Sequence, residues 1–352
     1  MSERVLSTRE LNRALLARQL LLERSKRPVA RALEAVGGLQ TQYAPSAYVA
    51  LWSRLHDVRR EALTRALERR LVVQATLMRV TIHMVSARDY PLLAEAIRKG
   101  RREWWLRVQG RDVAGVDMEA AAAIVREHLA GGPRRQTELM ELLVANGFPR
   151  VAWSGVGLWL DMVRVPPSGT WERRRADLYG LADDWLGSSS ATESAGLRLL
   201  VRRYLAAFGP ASVNDLANWA GLPVTTLRPV LEGLRPHPRR FRDESGGELF
   251  DLPRAPHPDA DAPAPIRFLP TWDAILLAHA RRAQVLPERY RSLVFQTRTP
   301  QSVSTFLVDG AVAGTWRYEG GRVRLEPYDP LPRRARRDLD DEAEGLAAFH
   351  AS

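Results

Sequence analysis

The sequence predicts an α+β fold, mainly α, built from three tandem winged-helix (helix-turn-helix) units followed by a small antiparallel β-barrel-like domain. Three observations carry this expectation. A layout of two apolar-striped helices and a pair of short strands recurs three times before residue 255. A proline- and alanine-dense tract, PRAPHPDADAPAPIRF, follows at residues 253–268 and reads as a linker. Beyond it, short alternating strands are separated by Asp-Gly and Gly-Gly turns. At 352 residues, 45% hydrophobic and 26% charged, the chain is long enough for several such cores.

The first unit, residues 1–130, contains VARALEAVGGLQTQ, which reads as one helix broken at Pro45; EALTRALERRL reads as a second helix and VVQATLMRVTIHMVSA as a hairpin. The second, residues 131–190, opens with RRQTELMELLVANGF, passes through the apolar GVGLWLDMV, and ends in VPPSGTWERRRADLYGLADDWLG. There Pro166, Pro167 and Gly169 break the chain between strand-like flanks. The third, residues 191–255, is the clearest. Ser212 is placed to cap a helix carrying Val213, Leu216, Ala217 and Ala220 on one face, Gly221 to end it, and Pro223 to open the next. RRFRDESGGELFDLP then predicts two strands about a Gly246-Gly247 tip, the wing. Residues 256–352 predict a β-rich domain from SLVFQTR and STFLVDGAVAGTWRYEGGRVRLEPY, closed by a helix, ARRDLDDEAEGLAAFH, whose acids belong to a solvated face.

Composition limits function. The absence of cysteine excludes disulfides, thiolate nucleophiles and iron–sulfur clusters, and the seven histidines show no metal-ligand spacing, so neither metal nor cofactor is expected. No window approaches 18 uninterrupted apolar residues and the N-terminus has no clean signal-peptide core, so a cytoplasmic, nucleoid-associated protein without membrane contact is expected. A formal net charge of +11 points to a polyanionic partner, most simply nucleic acid. Only Lys26 and Lys99 are lysines, and an arginine bias of this kind also arises in GC-rich genomes. Trp52, Trp104, Trp105, Trp153, Trp159 and Trp171 offer stacking surfaces for bases, although helical spacing favours the core for each.

The sharpest local question lies in GGLQTQYAP, residues 37–45. Gln40 and Gln42 are neither acids nor bases, and two amides two residues apart are costly to bury without partners. Those partners can be protein, water or a substrate.

GLQTQ, LMRVTIHMV, VPPSGTW with GLADDWLG, GPASVNDLANWAGLP, and the C-terminal FLPTWDAILLAH, VLPERYR, FLVDGAVAGTW and VRLEPYDPL together resemble the winged-helix DNA-binding family of AlkZ/YcaQ-type DNA glycosylases. The resemblance keeps the order of the motifs over nearly the whole chain. It implies three tandem winged helices and a C-terminal barrel around double-stranded DNA with alkylated bases, and excision of alkylated purines, including bulky N7-alkylguanine adducts and interstrand crosslinks. DNA repair, as base excision repair, or self-resistance to a DNA-alkylating natural product is the corresponding biological role. The family's catalytic motif is a glutamine, a usually aliphatic residue, then glutamine or aspartate, which places the catalytic positions at Gln40 and Gln42; Thr41 departs from the pattern by a hydroxyl. An N7-alkylated guanine already carries positive charge and leaves without a proton, so two amides suffice to orient a water beneath the anomeric carbon. With only two lysines and the N-terminus to form a Schiff base, a monofunctional enzyme acting as a monomer is expected.

Arg79, Thr81, His83, Arg281, Arg282 and Arg298 are the candidate DNA-binding residues, from phosphate contacts or groove probing. His83, in VTIHMV, also reads as a satisfied core histidine, and Asp273 reads as a helix cap. A non-catalytic winged-helix regulator of transcription is the competing expectation, and a nucleic-acid scaffold that recruits partners through its C-terminal domain a third.

Overall fold

The computed structural model describes residues 3–280, 282–295 and 302–352. Strand β1 (Val5–Leu6) leads into a helix, Thr8–Arg18, held by a reciprocal capping box in which Ser7 and Glu10 satisfy one another's backbone N–H groups. The helix Val29–Val36 then ends earlier than the sequence suggested. Gly37 and Gly38 both adopt left-handed φ, +77° and +81°, and a Cβ on Gly38 would lie 2.9 Å from Val85 Cγ1. The glutamine segment therefore leaves the helix and runs as strand β2 (Leu39–Gln40). Pro45 breaks nothing; it sits in the first turn of the helix Ala44–Arg54, where a missing N–H costs no hydrogen bond.

Strands β3 (Val72–Thr76) and β4 (Ile82–Ser86) form the expected first hairpin, and β2 pairs antiparallel with β4. A 20-residue helix, Tyr90–Gln109, and the helix Met118–Ala130 lead to β5 (Arg134–Arg135), the helix Gln136–Ala145, β6 (Met162–Arg164) and β7 (Leu178–Leu181). The second hairpin is not separate from the first. Gln74 on β3 pairs with Arg164 on β6, which fuses both into one six-stranded sheet of order β2-β4-β3-β6-β7-β5. Helices Val213–Ala220 and Val224–Glu232 flank Gly221, and β8 (Arg239–Asp243) and β9 (Glu248–Asp251) follow as a hairpin, with β1 parallel to β8.

Residues 253–266 contain no regular element. The C-terminal sheet is β10 (Arg267–Leu269), β11 (Thr305–Val308), β12 (Ala311–Glu319) and β13 (Arg322–Pro327) in that order. Among the described residues β10 and β13 are both edges, so the sheet is an open meander and not a barrel. Nor is SLVFQTR a strand throughout: Arg291–Val294 is a short helix. The final helix, Arg333–Ala351, buries Leu339, Ala343, Leu346 and Phe349, and Glu342 on it meets Arg24 at 2.6 Å, so its acids are not all solvated.

Long-range packing ties the C-terminal sheet to the glutamine-bearing segment. Tyr48, Leu51, Trp171, Phe268, Phe306, Trp316 and Phe349 share one hydrophobic cluster, while Leu15, Val85, Ile97, Tyr204, Phe208, Trp219 and Leu276 share another. Two buried bidentate ion pairs add directional ties: Arg54 to Asp273 at 2.8 and 2.9 Å, and Arg18 to Asp251 at 2.7 Å for both bonds. Asp273 also accepts from Ile275 N, so it is a cap as expected and half of an ion pair as well.

Candidate active site

The sheet register places Gln40 directly opposite His83. Gln40 is buried and Gln42 exposed, because β2 ends between them and the chain turns toward the helix beginning at Ala44. The two side chains meet: Gln40 Nε2 donates to Gln42 Oε1 at 2.5 Å. The Gln40 carbonyl in turn accepts from Arg79 Nη2 at 3.0 Å, and Arg79 Nη1 donates to the Trp219 carbonyl at 2.9 Å. This is a relay of fixed direction. Arg79 has only donors, so it selects the Gln40 oxygen, which leaves the Gln40 nitrogen for Gln42.

Arg79 reaches this position from a strained turn. Its φ is +53° and that of Val80 is +61°, a left-handed pair that side-chain-bearing residues seldom adopt, at a cost on the order of 1–3 kcal/mol each. The turn abuts the junction of the two helices in the third segment: a Cβ on Gly221, itself at φ +70°, would lie 3.2 Å from Arg79 N. Elements some 140 residues apart in sequence thus converge on one guanidinium. Burial lowers the Arg79 pKa, and no carboxylate accepts from its guanidinium among the described residues.

His83 is buried and its pKa falls to about 3, first through burial and then through the neighbouring Arg79 charge. It is neutral at physiological pH. Nδ1 lies 3.0 Å from the Thr81 carbonyl, which can only accept, so the proton sits on Nδ1 and Nε2 keeps its lone pair. Thr81 Oγ1 donates to the Met78 carbonyl at 3.0 Å and closes the turn. The Thr41 backbone N–H donates to Ile82 O at 2.7 Å, while its hydroxyl is buried without a partner among the described residues, which is the physical cost of the departure at this position.

Gln40, Gln42, Arg79, Thr81 and His83 are therefore one cluster. Arg282 is half-buried, with its guanidinium 4.7 Å from the Phe295 ring centre and its pKa lowered mainly by burial. Arg281 and Arg298 lie outside the described residues. Sequence reasoning missed Arg101. It is buried, donates to Leu77 O at 3.2 Å, retains a buried Nη2 without a partner among the described residues, and has its pKa pushed down to about 10 by burial. In RKGRREWW nothing separates it from Arg98, which pairs with Glu95 and Asp161, or from Arg102. Of the tryptophans considered for stacking, Trp105 and Trp171 are core residues, and Trp104 is 39% exposed.

Chemically, the cluster offers no acid or base that titrates near neutrality. It does offer carbonyl oxygens, each with one lone pair left after the relay is made, at the boundary between sheet and solvent. Among the described residues no group of three or more His, Asp or Glu is arranged to hold a metal ion, and no helix is long and apolar enough to cross a membrane.

A family model described as DNA glycosylase AlkZ-like matches residues 33–349. No curated protein matches the chain. Among solved structures, Streptomyces sahachiroi DNA glycosylase AlkZ is similar at a TM-score of 0.82, over 98% of this chain and 96% of that one, with 19% sequence identity. At that identity the likeness shows the shared fold, a mixture of helices and antiparallel sheets.

Proposed function

The chain belongs to the AlkZ-like DNA glycosylase family and is a DNA-acting glycosylase; on that premise we propose that it hydrolyses the N-glycosidic bond of alkylated purines in duplex DNA, bulky N7-alkylguanine adducts above all, with Gln40 and Gln42 as its catalytic pair. The observation that carries the proposal is the relay from Arg79 through Gln40 to Gln42. A glycosylase acting on a neutral base needs an acid to protonate the leaving group. The cluster has none, since His83 is locked neutral by burial. An N7-alkylguanine needs none, because alkylation has already placed the positive charge on the base.

In this reading the free lone pairs of Gln40 Oε1 and Gln42 Oε1 accept hydrogen bonds from the attacking water, one of whose protons passes to solvent as the new C–O bond forms, and the same dipoles face the oxocarbenium charge as the C–N bond breaks and the base leaves neutral. Preorganised donors and dipoles of this kind contribute roughly 3–4 kcal/mol each at most. That is adequate for a cationic adduct and inadequate for an intact base, so the machinery selects its substrate by what it lacks. The neutral state of His83 keeps a further cation away from the reacting sugar. With no amine in the cluster, the product is an abasic site and a free base.

The three helix pairs and their hairpins, divided at residues 130, 190 and 255, then serve as winged-helix units holding the duplex. The arrangement of Val213–Ala220, Val224–Glu232 and the β8–β9 hairpin supports this most directly. Arg79, Thr81, His83 and Arg282 face or flank the DNA in the same reading. Unhooking of crosslinks, protection against a DNA-alkylating metabolite and action as a monomer are its extended form. The test is base release from a duplex carrying one N7-methylguanine or one bulky N7 adduct. Release that prefers damage over sequence supports the proposal, and sequence-selective binding without release supports a regulator.

A further inference from the structure

The tract WERRRAD, Trp171 to Asp177, lies in the loop between β6 and β7, and the glutamine relay makes no use of it. Three consecutive arginines, Arg173, Arg174 and Arg175, are exposed there, and with Arg135 at the end of β5 they line a surface cavity of about 270 Å³. Asp177 is the one carboxylate in that lining; it meets Arg175 at 3.1 Å and Arg135 at 3.8 Å. Among the described residues neither Arg173 nor Arg174 has a carboxylate within ion-pair distance. With four guanidiniums against one carboxylate, the cavity carries a formal charge of +3.

On a slack loop three such charges would spread apart; here the backbone holds them together. Gly169 N donates to the carbonyls of Arg173 at 2.8 Å and Arg175 at 3.1 Å, Arg173 N donates to Thr170 Oγ1 at 3.2 Å, and Ser168 Oγ donates to Arg175 O at 2.8 Å. Trp171 packs edge-on against Tyr48 and Phe349 and so anchors the loop in a hydrophobic cluster. Two further bonds fix the loop relative to the glutamines. Gln74 Nε2 on β3 donates to Gly169 O at 2.6 Å, and the sheet register runs from Gln74 across Met84 to Leu39, the residue before Gln40. Two strand spacings, about 10 Å, separate that anchor from the glutamine strand. From the other side Arg174 Nη1 donates to the Tyr43 hydroxyl at 3.0 Å, which uses one of five guanidinium N–H groups and leaves the others for a ligand.

We propose that this cavity binds a backbone phosphate of the duplex close to the lesion, with Arg173 and Arg174 as its ligands and Arg175 and Arg135 as flanking charge. The inference rests on the glycosylase reading, which brings DNA to Gln40 and Gln42, and adds to it a point of register. A phosphodiester presents two anionic oxygens that the planar fork of a guanidinium meets in pairs, and cations ordered in advance bind it without the cost of gathering them. Contacts of this kind carry no sequence information; they set which nucleotide comes to rest over the reacting groups. At a rise of about 3.4 Å per nucleotide, the separation of about 10 Å places the bound phosphate about three nucleotides from the lesion.

The test measures duplex binding by the full chain, by Arg173→Ala/Arg174→Ala and by the charge-retaining Arg173→Lys/Arg174→Lys, with the urea midpoint as the check that each variant folds. In the first arm, affinity for undamaged duplex is followed against salt; it needs neither lesion nor base release, so its failure is distinct from failure of the glycosylase reading. Each phosphate contact contributes a slope of about 0.9 in log affinity against log salt, so the alanine variant should bind at least tenfold more weakly with a slope smaller by about 1, and the lysine variant should recover the slope but not the full affinity. In the second arm, single methylphosphonates replace each phosphate around one N7-methylguanine whose sugar carries 2′-fluorine to prevent base loss. One neutralised position about three nucleotides from the lesion should weaken the wild type at least fivefold and leave the alanine variant unaffected. Unchanged affinity and slope in the alanine variant, or the same methylphosphonate profile in variant and wild type, overturns the proposal.

Discussion

Replacing Arg79 by methionine should disable the glutamine pair without unfolding the chain. Methionine keeps most of the length of the side chain and has no donor, so the bonds to Gln40 Oε1 at 3.0 Å and to Trp219 O at 2.9 Å are lost together. A hydrogen bond from a charged donor is worth about 1.5–3 kcal/mol. The Gln40 amide, no longer held, is free to turn over and present nitrogen where the water requires oxygen. Converted at about 1.4 kcal/mol per factor of ten, base release should fall roughly 10- to 150-fold. Stability should change little, because removing a buried cation with no carboxylate partner offsets the lost bonds. The assay is single-turnover release of 7-methylguanine under saturating enzyme, with duplex affinity and the urea midpoint measured alongside. Arg79→Lys should recover only part of the rate, since an ammonium cannot reproduce the planar fork that meets both carbonyls. Release within threefold of wild type would refute the relay. A large loss of duplex affinity with the saturated rate intact would refute it too, by making Arg79 a phosphate contact only.

Other expectations follow from the same structure. Asp273→Ala leaves Arg54 charged and buried without its bidentate partner, and should lower unfolding free energy by about 3–5 kcal/mol in urea titrations. Gly169→Ala introduces a Cβ only 2.4 Å from Gln74 Oε1 at a φ of +73°, and should cost about 1–3 kcal/mol while weakening the junction between the two hairpins, read by hydrogen exchange of β3 and β6. Stability should also fall with acid. His83 and His350 titrate in the unfolded chain near 6.5 but are depressed in the folded chain to about 3 and about 4. Below 6.5 the unfolded state therefore binds more protons, and the stability present above that pH is lost as pH falls toward those values. His350→Gln should remove one proton from the slope of stability against pH between about 4 and 6.5.

Much of this fold was legible because its signals are local. Ser212, Gly221 and Pro223 mark the third helix pair by chemistry that acts within a turn, and the Asp309-Gly310 and Gly320-Gly321 tips mark the C-terminal hairpins in the same way. What escaped the sequence is what long-range pairing decides. Nothing in VVQAT or MVR announces that Gln74 will face Arg164 and join two hairpins into one sheet. The glutamines stood out as a question because a buried amide demands partners, yet the place of Gln40 on a strand depended on Gly38 approaching Val85 too closely for any side chain. Arg79 was legible only as a candidate DNA-binding charge beside His83. Its role as the donor that orients Gln40 needed the left-handed turn and the distant Trp219 carbonyl.

The most direct test of the account is the pH profile of single-turnover release from a duplex bearing one N7-methylguanine, for the wild type and for the Gln40→Ala/Gln42→Ala variant. A pair of amides acting on a base that is already cationic predicts release by the wild type at a constant multiple of the spontaneous rate from about pH 6.5 to 9, and none above background from the variant at unchanged duplex affinity. A bell-shaped profile, or release that survives loss of both glutamines, would show that an acid or base elsewhere does the chemistry.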